Sequence, residues 1–339
     1  MRKAKCVSMV VIGILLLVGL QVLWAGGQTE KKPQFAFITN GVNDFWILSQ
    51  RGLEQAVKDL NVDCAYLTPP NGTSAEQISL VESMLAKKVD GIGLTVTDPD
   101  GMTTFLNEVA KKTQLVIFDS DAPKSNRILY LGTNNYSAGR TMGKIIKEVI
   151  PNGGKMMLFC GKAEIMASVE RRQGIIDELK GVSVSNNQYT VSPAGLVACG
   201  KYTVLDLRTD NVDYNRAKQN AEDTIIKYPD IDLLVGLWAY NAPMILSALK
   251  DAGKQGKIPV TSFDELPETL QGIKDGYIYA TVVQDPYNFG YRTVEILYKL
   301  LKGDKSMIPS DKMLYIPEKV INKENVDAFW QDMNKKLGK

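Results

Sequence analysis

Phe35-Ala-Phe-Ile-Thr39 is a short apolar run, and the residues after it change period. Between 44 and 60 the apolar positions Leu48, Ala56, Val57 and Leu60 recur at the spacing of one helix face. Cys64-Ala-Tyr-Leu67 is again short and strand-like. Strand, amphipathic helix, strand is the βαβ unit, and the rest of the chain repeats it. Asn71-Gly72 reads as a turn, and Ser74 as the cap of a helix carrying Ile78, Val81 and Leu85. Gly91 to Thr95 reads as a strand, Asp98-Pro99 as a helix start with proline in the first turn, and Leu115 to Phe118 and Ile128 to Leu131 as strands.

The pattern then restarts. Ala138, Met142, Ile145, Ile146 and Val149 form a helix stripe, and Lys155 to Phe159 a strand. Helices over 164–179, 214–227, 242–252, 267–275 and 289–301 alternate with strands over 202–207, 231–235, 258–263 and 279–283. A tail strand at 313–316 precedes a last amphipathic helix. Apolar strands alternating with amphipathic helices mean parallel sheets covered on both faces. About nine such units exceed one doubly wound sheet, so the expectation is α/β with two Rossmann-like lobes around a cleft.

The N-terminus reads as an export signal. Arg2, Lys3 and Lys5 precede an uncharged apolar run from Met9 to Leu20, and Ala25 offers a small residue at a cut before Gly26-Gly27. The expectation is a signal peptide over 1–25 and a periplasmic product; an uncleaved membrane anchor is the alternative, because residues 6–29 carry no charge. Export excludes most NAD-, ATP- and DNA-dependent functions.

Composition narrows the field further. Hydrophobic residues make up 45% and charged residues 23%, ordinary for a globular chain. Without Arg2, Lys3 and Lys5 the chain holds 37 basic and 38 acidic residues, so nothing in it invites nucleic acid. There is no histidine. That removes Ser-His-Asp and Cys-His catalysis and argues against a zinc site; no metal and no cofactor is expected. Cys64, Cys160 and Cys199 are an odd set in a chain long enough to need no staple; they read as buried free thiols, with one bridge as the alternative.

In open α/β sheets ligands bind beyond the carboxyl ends of the strands. The residues there are Asn40, Asn43, Asp44, Phe45 and Trp46; Asp119, Ser120 and Asp121; Glu170, Arg171 and Arg172; Trp238, Tyr240 and Asn241; Asp264; and Gln284 and Asp285. Amides, carboxylates and guanidinium pair with vicinal hydroxyls, and aromatic faces cover the C–H faces of a ring, which is the mixture a sugar needs. Any one of these residues could instead cap a helix or sit on a solvated face. The convergence of six loops carries the reading.

These motifs, in this order, resemble the periplasmic ribose-binding-protein family, the type I solute-binding proteins of ABC sugar importers. The resemblance rests on Asn43-x-Phe45-Trp46, Ile117-Phe-Asp119, Arg171-Arg-Gln-Gly174, Asn241, Phe263-Asp264 and Val283-Gln284-Asp285-Pro286, and covers roughly residues 33 to 320. It implies sugar contacts by Asn43, Asp119, Arg171, Asn241, Asp264 and Gln284. Phe45 and Trp46 would cover one face of the ring. A far-lobe aromatic, Tyr214 or an alternative in Thr209–Asp213, would cover the other, with Trp238 beside the cleft. Ser120 stands where the ribose-type pattern has arginine, and Trp46 replaces a smaller phenylalanine, so the pocket differs in shape from a ribose site. The family pattern also implies three crossings between lobes, near 133–134, 284–286 and 310–313. The first lobe is then 33–133 plus 286–311, and the second 134–284 plus 312–339. The implied partners are a monosaccharide and the permease transmembrane subunits, or a chemoreceptor or sensor kinase. The chain would act as a monomer and not as an enzyme. A carboxylate glycosidase using Asp119 and Asp264 is the weaker rival, because Arg171, Asn43 and Asn241 should keep both acids ionised.

Overall fold

The computed structural model describes residues 31–183 and 195–339. The expected signal at 1–25 lies outside the described residues. From residue 33 onward the chain packs as one unit. It runs β1 (Gln34–Ile38), α1 (Trp46–Leu60), β2 (Asp63–Leu67), α2 (Ser74–Ala86), β3 (Gly91–Leu94), α3 (Thr103–Ala110), β4 (Gln114–Phe118) and β5 (Leu129–Gly132). Next come α4 (Asn135–Val149), β6 (Gly154–Cys160), α5 (Met166–Lys180), β7 (Val197–Cys199), β8 (Tyr202–Thr209) and α6 (Tyr214–Lys227). β9 (Leu233–Gly236), α7 (Asn241–Asp251), β10 (Val260–Phe263), α8 (Pro267–Asp275) and β11 (Ala280–Val283) follow. The last elements are α9 (Pro286–Leu301), β12 (Met313–Tyr315), β13 (Lys319–Asn322) and α10 (Val326–Leu337).

Two sheets form. The first has the order β12-β5-β4-β3-β1-β2 and is parallel throughout. The second has the order β13-β11-β10-β9-β6-β8-β7, parallel in its interior with antiparallel strands at both edges. The central strands are buried on both faces, as parallel strands under helices must be. In the first lobe Phe37 and Phe118 stack at 4.0 Å on one face, while Ile38, Leu94 and Ile117 meet Val81 and Leu106 on the other.

Each lobe also contains one helix pair in backbone contact. A Cβ on Gly52 of α1 would stand 1.9 Å from the Tyr287 carbonyl of α9, and one on Gly290 of α9 would stand 1.9 Å from the Ser49 carbonyl. In the second lobe, a Cβ on Gly139 of α4 would meet the Arg171 carbonyl at 2.3 Å, and one on Gly174 of α5 the Tyr136 carbonyl at 2.2 Å. Only glycine permits such approaches. Gly174 of the Arg171-x-x-Gly174 motif is therefore a packing residue that seats the helix bearing Arg171.

The chain passes between sheets after β5, after β11 and after β12. The third passage corrects the expectation that residues from 312 onward belong to the second lobe. Met313–Tyr315 pairs in parallel with Tyr130–Gly132, and the Tyr130 N–H is donated to the Lys312 carbonyl. Met313 and Leu314 pack on the two faces of the first sheet, so the chain crosses only between Tyr315 and Lys319. Other boundaries moved for local reasons. Thr73, not Ser74, caps α2, in a capping box with Glu76. Asp98 does not open a helix; it accepts the Gly101 N–H in a turn, and α3 starts at Thr103. The short edge strands β7 and β13 go beyond the strands read from the sequence: β7 has only the three residues Val197–Cys199, and in β13 the apolar pair Val320-Ile321 is flanked by Lys319 and Asn322. Cys64, Cys160 and Cys199 are free thiols.

Candidate functional site

Asp119 follows β4 and Asp264 follows β10, each at the carboxyl end of its strand and each left-handed, with φ of 60° and 66°. A short polar side chain tolerates that conformation better than most. Both residues keep the ladder intact. The Asp119 N–H is donated to Leu131 O on β5 at 3.0 Å, and the Asp264 N–H to Val282 O on β11 at 2.9 Å. A hydroxyl from the adjacent strand then fixes each carbonyl: Tyr130 Oη donates to Asp119 O and Thr281 Oγ1 to Asp264 O, both at 2.7 Å.

Arg171, on α5, sits among these groups and is 2% exposed. Its Nε donates to Asn135 Oδ1 at 2.9 Å, its Nη1 donates to the Leu237 carbonyl at 2.6 Å, and the same Nη1 lies 3.8 Å from Asp264 Oδ2. The guanidinium also stands 4.4 Å over the Phe263 ring. Gln284 Nε2 donates to Asp264 Oδ1 at 2.9 Å, and Thr95 Oγ1 donates to Asp119 Oδ2 at 3.0 Å.

Burial governs the charges here. It pushes the Asp119 carboxyl from 3.8 up to about 6, against the pull of Arg171 and the Thr95 hydroxyl. Asp264 is raised for the same reason, against Arg171 and Gln284. The expectation that Arg171 and the amides hold both acids in the ordinary ionised range is thus corrected: desolvation outweighs one guanidinium shared between two carboxylates.

A cavity of about 60 Å³ lies between the lobes. Of the expected residues, Asn43, Phe45, Trp46, Asp119, Arg171, Tyr214, Trp238, Asp264 and Gln284 line it. Their roles differ. Trp46 is 3% exposed, donates Nε1 to Asn40 Oδ1 at 3.1 Å and meets Phe118 edge-on, so it forms the floor. Phe45 stands edge-on against it at 4.9 Å. Across the cleft Tyr214 stacks on Tyr240 at 4.6 Å, and Trp238 donates Nε1 to Ser168 Oγ at 2.8 Å.

Ser120 and Asn241 do not reach the cavity. Ser120 is tied to the loop after β3: its N–H is donated to Thr95 Oγ1, and its carbonyl accepts the Val96 N–H. Asn241 is spent behind the wall, accepting the Trp238 N–H at 2.9 Å and donating to Asp210 Oδ2 at 3.2 Å. Asp210 also accepts the Tyr240 hydroxyl, so it positions the aromatic wall. A strand read as ending at Leu207 hides Asp210, because β8 runs on to Thr209. Asn135, which holds Arg171, sits just past the first crossing and carried no motif. Arg172 is buried beside Arg171 but does not line the cavity. Among the described residues no group of three or more acidic, Cys or His side chains could hold a metal ion, and no helix is long and apolar enough to cross a membrane.

Two lobes, parallel sheets, three passages between them and a cleft at the strand ends define a type I periplasmic binding protein. Residues 35–305 match the periplasmic binding protein domain family, and the chain belongs to that family. It is 24% identical over 293 residues to the ribose import binding protein of Salmonella typhimurium, covering 85% of this chain and 92% of that protein. It is 25% identical to the D-allose-binding periplasmic protein of Escherichia coli K12, covering 80% of this chain and 84% of that one. The crystal structure of an ABC transporter solute binding protein from Burkholderia graminis, in complex with D-arabinose, aligns with a TM-score of 0.79 and 25% identity, over 88% of this chain and 98% of that one. The resemblance read from the loop motifs is borne out.

Proposed function

We propose that this protein is the exported binding component of an ABC importer. Its lobes close over one sugar ring and present it to the membrane permease, without chemical change to the ring. The observation that carries the reading is the convergence of Asp119, Arg171, Asp264 and Gln284 on one cavity walled by Phe45, Trp238 and Tyr214. Ionised carboxylates and a guanidinium fork hold paired hydroxyls, and the aromatic faces take the apolar side of the ring. Relatives of comparable length that bind ribose, allose and arabinose support the ligand class. Each carboxylate already accepts a neutral donor, Thr95 or Gln284, and both lie near the Arg171 charge, an arrangement suited to holding a polar ligand.

A thermal-shift screen against monosaccharides tests this. A sugar at one hundred times its Kd adds about 2.7 kcal/mol of stability, a clear rise in Tm. A panel of pentoses, hexoses and disaccharides that all left Tm unmoved would remove the sugar reading. Delivery is tested separately, by loss of labelled-sugar uptake when the protein is deleted from its own cell.

A further inference from the structure

A second cavity, of about 200 Å³, opens along the same cleft and shares Asn40, Asn43, Ile165 and Trp238 with the central one. We propose that it is a subsite for a second sugar ring, so that the preferred ligand is a disaccharide or glycoside rather than a free monosaccharide. This rests on the sugar-binding reading above and goes further, to the class of sugar.

The lining is the first argument. Besides the shared residues it presents Asn71, Thr97, Asn211 and Lys162, and no carboxylate. Two of its lining residues carry a buried side-chain oxygen without a partner: Thr97, 8% exposed, at Oγ1, and Asn43, shared with the central cavity, at Oδ1. The Thr97 backbone is fixed, its N–H donated to Gln77 Oε1 at 3.0 Å, while its hydroxyl is left over. Buried polar atoms without partners are costly unless a ligand supplies them. Asn43 Oδ1 is an acceptor and needs a donor, which an anion lacks and a sugar hydroxyl has. A neutral hydroxylated ring satisfies both atoms, with the Trp238 ring as a shared apolar wall.

The second argument is backbone strain. Asn211 and Val212 line this cavity and are both left-handed, with φ of 57° and 66°. That is an outlier for a β-branched residue. Two hydrogen bonds hold it: Asn211 N–H to Gly161 O and Val212 N–H to Asp210 Oδ1, both at 2.9 Å. Asp210 is itself held by Tyr240 and Asn241, so the group that sets the aromatic wall of the central site also shapes this flank. The opposite flank differs in chemistry: it carries Ile47, Leu48, Met333 and Leu337 with Glu265 and Glu268.

Calorimetric titration tests the proposal. The probes are D-ribose, D-arabinose, D-xylose, D-glucose and D-galactose, together with xylobiose, cellobiose, maltose, lactose and melibiose. The expected result is one disaccharide binding at least about tenfold tighter than the monosaccharides it contains. Two variants should abolish that advantage and leave monosaccharide affinity within about twofold. Thr97→Val removes the unpartnered hydroxyl. Gly41→Leu fills the subsite from a position where a Cβ meets only the Gly72 Cα, at 3.7 Å. Monosaccharides binding as tightly as every disaccharide that contains them would overturn the subsite, as would variants that weaken both classes equally. If no sugar of either class bound, the sugar reading itself would fall, and the subsite with it.

Discussion

Asp119 and Asp264 are built the same way in two different sheets. Each follows a central strand in the left-handed conformation, donates its N–H to the neighbouring strand and receives a hydroxyl on its carbonyl. The hydroxyls come from equivalent places: Tyr130 pairs with Ile117, two residues before Asp119, and Thr281 with Ser262, two before Asp264. The two lobes thus present matched carboxylates across the cleft, with Arg171 near both.

Replacing either carboxylate should separate binding from folding. Asparagine keeps the shape and tolerates the left-handed backbone, so Asp264→Asn should fold. Removing the ionised acceptor should cost roughly 2–3 kcal/mol of sugar affinity. Calorimetry checks the loss, and a melting curve at or above that of the parent shows the fold kept. Unchanged affinity would move the site away from Asp264.

Acid should act on the empty and loaded forms in opposite directions. The Asp119 carboxyl rises from 3.8 to about 6, Asp210 also to about 6 and Glu170 to about 7, in each case chiefly through burial. The folded state therefore holds these protons more tightly than the unfolded chain. Their contribution to stability is greatest below about pH 4 and is lost as pH climbs to about 6–7, by about 3 kcal/mol for Asp119 alone. Sugar hydroxyls need the ionised acceptor, so affinity should fall as pH drops below about 6. Melting curves with and without sugar at pH 5 and 7.5 measure both, and a ligand-induced shift larger at pH 5 would contradict the assignment.

Gly174→Ala should harm binding without touching the ligand. The new Cβ would lie 2.2 Å from the Tyr136 carbonyl, so α5 must move away from α4. Overpacking of this kind costs roughly 1–3 kcal/mol, and the shift carries Arg171 off Asn135. Lower Tm together with weaker sugar affinity is the expected pair; an unchanged Tm would mean that the helices are not in backbone contact.

Closure should report through one tryptophan. A ligand that touches both lobes in the closed form only must shift the open–closed balance. Trp46 is already buried on the floor, whereas Trp238 is partly exposed on the wall. Sugar should change the fluorescence in a saturable way that Trp238→Phe largely removes, and should shrink the radius of gyration. Tight binding without compaction would rule out a clamp.

Tyr130→Phe should unsettle the first lobe's carboxylate. The hydroxyl serves the carbonyls of both Asp119 and Thr133, the latter at the first passage between lobes. Its loss leaves buried acceptors under-satisfied, at a cost of about 1–2 kcal/mol in denaturant unfolding. A neutral result would assign the hydroxyl no structural part.

The sequence by itself determined the layered fold, because hydrophobic period is local: Phe35–Thr39, Leu115–Phe118 and the helix stripes can be read a few residues at a time. It also pointed to most of the residues that line the candidate cavity, because the carboxyl ends of parallel strands wound this way converge: Asn43, Asp119 and Asp264 lie just past a strand, and Arg171 on the helix that follows one. The tertiary structure alone decided what depends on direction and desolvation. The turn after Asp119 keeps Ser120 out of the cavity, and the demand of Asp210 for a donor draws Asn241 behind the wall. Burial, which no spacing records, lifts both carboxylates against a neighbouring guanidinium. Met313–Tyr315 joins the first sheet because an edge at β5 was open to it, a pairing of residues some 180 positions apart that local pattern does not register.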